Sequence, residues 1–400
     1  MIPRTLEPVI VRYAREYPVL AVVGPRQSGK TTLVRKLFPG HAYLSLENLD
    51  LRQQAEDDPR GFLSDNPVPV ILDEVQRVPQ LFSYLQERVD ADPQPAQYIL
   101  TGSHQFLLME RIAQSLAGRI ATFKLFPFTF AELSGRDLDT SLEGIFNPPP
   151  LNRSATAGEL STLIFSGLYP PIHARRLTAR KWLENYLQTY VERDIRLLVN
   201  VGNLRTFENF LRLCAAHSGQ LLNYAAIANA VGVSLPTVKK WVSLLETSGI
   251  VFLLPPHHQN FSKRVVKTPK LYFIDTGLLC LLLYIRQPTE LAGHPLKGHI
   301  FETFVISEYY KRIAHLGEIP PLYFWRDKTG NEIDLIVDFG TYLLPIEIKS
   351  AQTYTPTFKE GLSRWFALKG NTTSSGRIIY AGEQVIGQRT AIQALPWWAC

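Results

Sequence analysis

Residues Gly24, Pro25, Arg26, Gln27, Ser28, Gly29, Lys30, Thr31 and Thr32 combine glycines, a lysine and hydroxyls at a spacing suited to gripping phosphate. They fit the G-x-x-x-x-G-K-[ST] pattern and directly follow the apolar run Val19–Val23, the strand–loop–helix setting that this chemistry needs. Gly24 and Gly29 let the backbone curl until its N–H groups converge on phosphate oxygens, and a helix opening near Lys30 adds its positive end. Lys30 is expected to reach the β- and γ-phosphates of ATP, and the Thr31 hydroxyl to ligate Mg2+. Downstream, "VPVILDEVQ" ends an apolar strand in Asp73 and Glu74, where ligands bind in an open α/β sheet. Asp73 is expected to hold Mg2+ through water and Glu74 to orient and activate the attacking water; the alternative is a pair of helix-capping acids. Thr101 or Ser103, in "YILTGSHQF", is placed to sense the γ-phosphate or to cap a helix. Arg119, just before the next strand, reads either as a finger acting in trans on a neighbouring subunit or as a surface arginine.

A second constellation lies near the C-terminus. "KGHIFETFVISEYYKR" puts Glu302 on a helix, "NEIDLIV" puts Asp334 in a strand, and "LPIEIKS" puts Glu347 and Lys349 on the next strand. Strand alternation points Glu347 and Lys349 to one face, so a hairpin from Ile333 to Lys349 gathers Asp334, Glu347 and Lys349, and Glu302 can join from the helix. Carboxylates around a divalent cation beside a lysine suit phosphodiester hydrolysis, so a second Mg2+ or Mn2+ is expected at Asp334/Glu347. The pattern Asp334…Glu347-Ile348-Lys349 resembles the PD-(D/E)xK nuclease superfamily. The alternative is a domain of that shape that binds DNA or another subunit and cuts nothing.

Between these sites, "LLNYAAIANAVGVSLPTVKKWVSLLETSGIVFLL" reads as a winged helix-turn-helix. Gly232 allows the turn, Ser234 can cap the second helix, and that helix offers Thr237, Lys239 and Lys240. The following hairpin, as the wing, carries Lys263, Arg264, Lys267 and Lys270. In a DNA-binding version the helix enters the major groove while the wing neutralises phosphates; in the alternative the module only packs or meets protein.

The elements that must position these residues follow from patterning. Apolar runs at Val19–Val23, Ala42–Leu46, Val68–Leu72, Gln97–Leu100 and Ile120–Leu125 alternate with helix-like segments such as Lys30–Leu37 and Leu81–Val89, which is the signature of an α/β domain with a parallel sheet. Proline and asparagine in Phe146–Asn152 mark a break, and the Ser-, Thr- and Ala-rich stretch after it reads as a linker. Three domains are expected: 1–150, 151–285 and 286–400. Lys and Arg against Asp and Glu number 15 to 18, 15 to 7 and 12 to 11 in these segments, nets of −3, +8 and +1. The middle segment therefore holds the surplus and points to an acidic partner, DNA first. The apolar run Leu278–Ile285 suits a buried strand and is far too short to span a bilayer. An N-terminus without an apolar leader and three scattered cysteines, Cys214, Cys280 and Cys400, fit a cytoplasmic protein with no membrane role. The adjacent Trp397 and Trp398 read as core.

The stretches "GPRQSGKTTL", "ILDEVQRVPQLF", "YILTGSHQFLL" and "SLAGRIATFKLFPFTFAEL" resemble the AAA-type ATPase domain of the AAA_14/DUF4143 family. "YLQTYVERDIRLLVNVGNLRTFENFLRLCA" and the helix-turn-helix after it resemble the first part of the DUF4143 region. The resemblance implies ATP binding and assembly into a homo-oligomer, and supplies no substrate. The fold expected is a P-loop NTPase domain, a winged-helix domain and an α/β restriction-endonuclease-like domain. The function expected is ATP hydrolysis coupled to DNA binding or processing; the alternative is a nucleotide-switched scaffold with an inactive nuclease-like domain.

Overall fold

Strand alternation accounts for the first sheet. In β1 (Val19–Val23), Val19, Ala21 and Val23 enter one apolar cluster, while Leu20 and Val22 enter another on the opposite face. A strand buried on both faces belongs inside a parallel sheet covered by helices on each side. The computed structural model describes residues 2–103, 115–136, 141–147, 155–189, 204–257, 267–368, 371–387 and 390–400. The chain forms two compact units, one of Met1–Leu142, Leu244–Ile250 and Lys311–Ile319, the other of Glu143–Ser243, Val251–Tyr310 and Pro320–Cys400.

In the first unit, β1 is joined by β2 (Ala42–Ser45), β3 (Val70–Asp73), β4 (Tyr98–Gly102) and β5 (Ile120–Lys124) in the order β2-β3-β4-β1-β5, every pairing parallel. The helices Leu6–Tyr13 and Lys30–Leu37 supply Leu6, Ile10, Leu33 and Val34 to one face. The helix Leu81–Ala91 supplies Leu81, Phe82, Leu85 and Val89 to the other. The register that sets Val23 beside Gly102 and Leu72 beside Leu100 lines up the C-terminal ends of β1, β3 and β4. Gly24, Asp73, Thr101 and Ser103 therefore share one edge of the sheet.

In the second unit, the helix Tyr224–Val231 ends at Gly232, whose φ is +76°. Ser234 Oγ then accepts the Thr237 N–H at 3.2 Å as the helix Leu235–Thr247 begins. The strands β6 (Gln220–Leu221), β7 (Val251–Leu254) and β8 (Lys270–Phe273) form an antiparallel sheet in the order β6-β8-β7. A larger sheet has β9 (Leu322–Arg326), β10 (Glu332–Asp338), β11 (Leu343–Lys349), β12 (Gly376–Tyr380) and β13 (Ile392–Pro396) in sequential order. Its β9, β10 and β11 pair antiparallel, and β11, β12 and β13 parallel. The chain after β7 continues beside β9, with the His257 N–H donating to the Phe324 carbonyl at 2.7 Å. Trp397, Trp398 and Cys400 are buried.

Several expectations are corrected. The run Leu278–Ile285 is not a strand. Thr276–Leu282 is a helix buried all round, started by Asp275, whose carboxylate accepts the Leu278 N–H at 3.0 Å and the Leu168 N–H at 2.7 Å. A short apolar run carries no periodicity that separates these two outcomes. The Ser-, Thr- and Ala-rich stretch holds a helix, Ala157–Ser166, fixed by a reciprocal capping box between Thr156 and Glu159; residues 148–154 lie outside the described residues. Lys263 and Arg264 also lie outside them. Lys270 is no surface lysine: it is 3% exposed and points into the second unit. Among the described residues no helix is long and apolar enough to cross a membrane.

Candidate functional site

The phosphate-gripping loop begins where β1 ends. A Cβ on Gly24 would stand 2.1 Å from the Leu125 carbonyl oxygen, so only glycine lets the loop lie against the chain leaving β5. Gly29, with φ at +97°, precedes the helix Lys30–Leu37 and turns the chain into it. Lys30 Nζ donates to the carbonyls of Gly24 at 3.0 Å and Pro25 at 2.9 Å, so its ammonium lies over the loop. Pro25 and Ser28 are buried, Arg26 is half-buried, and Gln27 and Thr32 are exposed.

Asp73, at the end of β3, gathers the hydroxyls around it. Its Oδ1 accepts from Thr31 Oγ1 at 2.9 Å and from Thr101 Oγ1; its Oδ2 accepts from Tyr43 OH at 2.7 Å. A hydroxyl and a carboxylate in contact at the mouth of the loop are the oxygen donors that Mg2+ prefers, so Thr31 and Asp73 fit that ion. Tyr43, pushed up to about 12 by burial and by its bond to Asp73, stays a donor. Glu74 takes a left-handed conformation, φ +56°, directly after Asp73. Its Oε2 accepts from Ser103 Oγ at 2.8 Å and Gln76 Nε2 at 2.5 Å. Burial raises its pKa, but the Lys30 charge and the Ser103 and Gln76 bonds outweigh it, holding the carboxyl below its ordinary range and ionised. Ser103 thus sits on Glu74 and Thr101 on Asp73.

Arg119 precedes β5 at the edge of the sheet opposite the loop, since Ile120 is level with Val19. It grips Asp90 through Nε and through Nη2 at 2.9 Å, and its Nη1 donates to the Ala117 carbonyl at 3.0 Å. A strand of five residues separates it from its own loop, so within one chain it cannot meet a phosphate held there.

Residues 16–134 match the family model described as AAA domain, and residues 157–289 and 297–400 match two described as Domain of unknown function, DUF8612 and DUF4143. An uncharacterized protein of Mycobacterium tuberculosis is 30% identical over 384 residues, 95% of this chain and 80% of its own length; one of Mycobacterium bovis matches equally. The chain belongs to the family of these mycobacterial proteins, and it is an AAA-type P-loop ATPase. An uncharacterized protein of Haemophilus influenzae is 23% identical over 65% of this chain and 68% of its own. Among solved structures, the Walker-type ATPase of Pyrococcus abyssi is similar with a TM-score of 0.46 at 15% identity, covering 71% of this chain and 96% of that one.

The ATPase's second cluster is built in the other unit. The β10–β11 register sets Leu335 opposite Ile346, so Asp334 comes level with Glu347. The Asp334 Oδ2 accepts the Ile348 N–H at 2.7 Å, and Lys349 Nζ lies 3.8 Å from it while contacting Glu347. In the helix Glu360–Phe366, a Cβ on Gly361 would fall 2.1 Å from Glu347 Oε1, so that glycine makes room for the carboxylate. Burial, and then the charges of Glu347 and Glu302, push Asp334 up to about 8. Burial raises Glu347 as well, against the opposing charge of Lys349.

Glu302, expected to join the cluster from its helix, is engaged by Tyr272 and Lys270. Tyr272 OH donates to its Oε1 at 2.5 Å and Lys270 Nζ at 3.0 Å, while Lys270 also contacts Glu332. Although burial opposes it, the Lys270 charge leads in holding Glu302 down at about 2. Among the described residues no group of three or more His, Cys, Asp or Glu side chains is arranged to hold a metal ion. Lys239, Lys240 and Lys267 are exposed and Thr237 is half-buried, whereas Lys270 is spent on this internal pairing. Reading the chain alone missed Tyr43, Gln76, Lys270 and Tyr272 as site residues. Only the neighbouring strands bring them there, and no local spacing announces it.

Two outcomes follow. If Glu74 polarises the attacking water, as its sequence position leads one to expect, Glu74→Gln should retain ATP binding and lower steady-state hydrolysis by roughly a hundredfold; phosphate release against nucleotide affinity checks this. Because Asp334 keeps its proton in the folded chain up to about 8 but loses it near 3.8 when unfolded, it subtracts stability as pH rises between those values. Asp334→Asn should therefore gain melting temperature over the wild type at about pH 8 and gain much less at about pH 5.

Proposed function

We propose that this ATPase couples ATP turnover to engagement of DNA, and that its C-terminal part is a PD-(D/E)xK-type phosphodiesterase centre. The convergence of Asp334, Glu347 and Lys349 carries the reading. Two facing carboxylates, one of them made reluctant to ionise by burial and then by the other's charge, have the chemistry of a divalent-cation site without its ion. Asp334 and Glu347 would hold Mg2+ or Mn2+, which when bound supplies Lewis-acid polarisation of a phosphoryl oxygen. Asp334 would give up its proton on binding. Lys349, about a third exposed, stands at the rim with its ammonium paired to Glu347, from where it would orient a water toward the phosphate. We read Leu221–Leu254 and the hairpin after it as the winged helix that presents DNA, through Thr237, Lys239, Lys240 and Lys267. The divisions at 150/151 and 285/286 and a homo-oligomer in which Arg119 serves a neighbour's γ-phosphate belong to the same proposal.

The Lys270–Glu302 pair favours a second reading. An ammonium fixed among the acids supplies positive charge from within, as a domain that has lost its metal would need, and the protein is then a nucleotide-switched scaffold.

Cleavage of linear double-stranded DNA with Mn2+ separates the two. The first reading predicts cleavage that falls at least about a hundredfold in Lys349→Ala and Asp334→Ala, as expected when a transition-state contact is removed. Cleavage unchanged by both substitutions would sink the catalytic assignment, and a wild type inert with every divalent cation would favour the scaffold.

A further inference from the structure

We infer that Arg4, twenty residues before the phosphate loop, is a positioning residue that aims a loop N–H at the bound nucleotide. Its guanidinium is buried, 5% exposed, and is used on three sides. Nη1 donates to the Ser28 carbonyl at 2.9 Å, Nη2 donates to the Phe126 carbonyl at 2.6 Å, and Nε lies 3.2 Å from Glu132 Oε1. The Phe128 ring lies beneath it at 4.8 Å.

The Ser28 bond reaches the chemistry through the peptide plane. The Ser28–Gly29 bond is trans, so its carbonyl and its N–H point in opposite directions. Holding the Ser28 oxygen on Arg4 turns the Gly29 N–H the other way, toward the side of the loop where Lys30 lies. A loop of glycine-rich backbone would otherwise sample several peptide orientations, and only one of them donates to a phosphate oxygen. The Phe126 bond fixes the opposite wall, because the neighbouring Leu125 carbonyl is the surface against which Gly24 rests. One side chain thus ties the inside of the loop to its backing.

Arg4 is itself held. Glu132, completely buried, accepts the Thr5 N–H at 2.9 Å on Oε1 and the Thr129 N–H at 3.0 Å on Oε2. His315 is equally buried and accepts the Phe126 N–H on Nε2 at 3.1 Å. Its Nδ1 therefore carries the hydrogen and faces Glu132 Oε1 at 3.2 Å. Lys311 Nζ, one turn earlier, donates to the Phe128 carbonyl at 2.9 Å. A planar fork with a fixed set of donors can serve two carbonyls and a carboxylate at once, and a lysine cannot.

Calorimetric titration with MgATP and MgADP, together with steady-state hydrolysis, tests this on Arg4→Lys and Glu132→Gln. Arg4→Lys keeps the charge that Glu132 needs and should fold. We expect its affinity for both nucleotides to fall roughly tenfold, with KM rising by that factor and kcat changing less than about threefold, the pattern of lost uniform binding. Glu132→Gln, which leaves both carbonyl bonds possible, should lower the melting temperature more than Arg4→Lys and lower affinity less. A folded Arg4→Lys protein with wild-type affinity for both nucleotides overturns the inference. So does a loss of affinity that merely follows melting temperature across the two variants.

Discussion

The Asp73 carboxylate accepts three hydroxyl hydrogen bonds, from Thr31, Thr101 and Tyr43, and each comes from a different element of the first sheet or its helices. Three hydrogen bonds converging on one carboxyl group fix where the phosphate loop, the end of β4 and β2 stand relative to one another. The next residue, Glu74, takes its left-handed turn from that fixed point and meets Ser103 and Gln76. Thr31 and Asp73, which would hold Mg2+, are hydrogen-bonded to each other here. A parallel sheet suits this arrangement: its strands all end at one edge, where carbonyls and loops leave room for a ligand.

The second unit uses charge differently. Four acids, Glu302, Glu332, Asp334 and Glu347, are set against Lys270, Lys349 and Arg326, the last paired with Glu332 at 3.2 Å. Lys270 is buried and divides itself between Glu302 and Glu332, which leaves Asp334 the least compensated member. Buried charges cost several kcal/mol each unless paired, so the cluster is tolerable only with a proton or a cation on Asp334. That imbalance, which no sequence pattern discloses, is the electrostatic signature of this cluster.

Much of the first sheet was legible from the chain because its strands are mostly apolar and its loop carries a spaced set of glycines. All five strands lie within two residues of their expected bounds, and Lys30–Leu37 is the helix that the loop requires. The E-x-K strand and its hairpin partner were also readable, since alternation decides which side chains share a face. Three other features depended on long-range contact. Arg4 and Glu132 are ordinary charged residues until the fold buries them together, more than a hundred positions apart. Lys270 looked like one of several basic residues on a wing, and only the approach of the helix Lys297–His315 makes it internal. Leu278–Ile285 lacks any period, so the capping carboxylate of Asp275 decides its form.

The rate of ATP hydrolysis with and without double-stranded DNA, followed across a range of salt, tests the coupling most directly. The account predicts a rate that rises severalfold with DNA, with the DNA-dependent part fading as salt displaces phosphate contacts. A rate that ignores DNA at every salt concentration would contradict it and leave an ATPase whose partner is a protein.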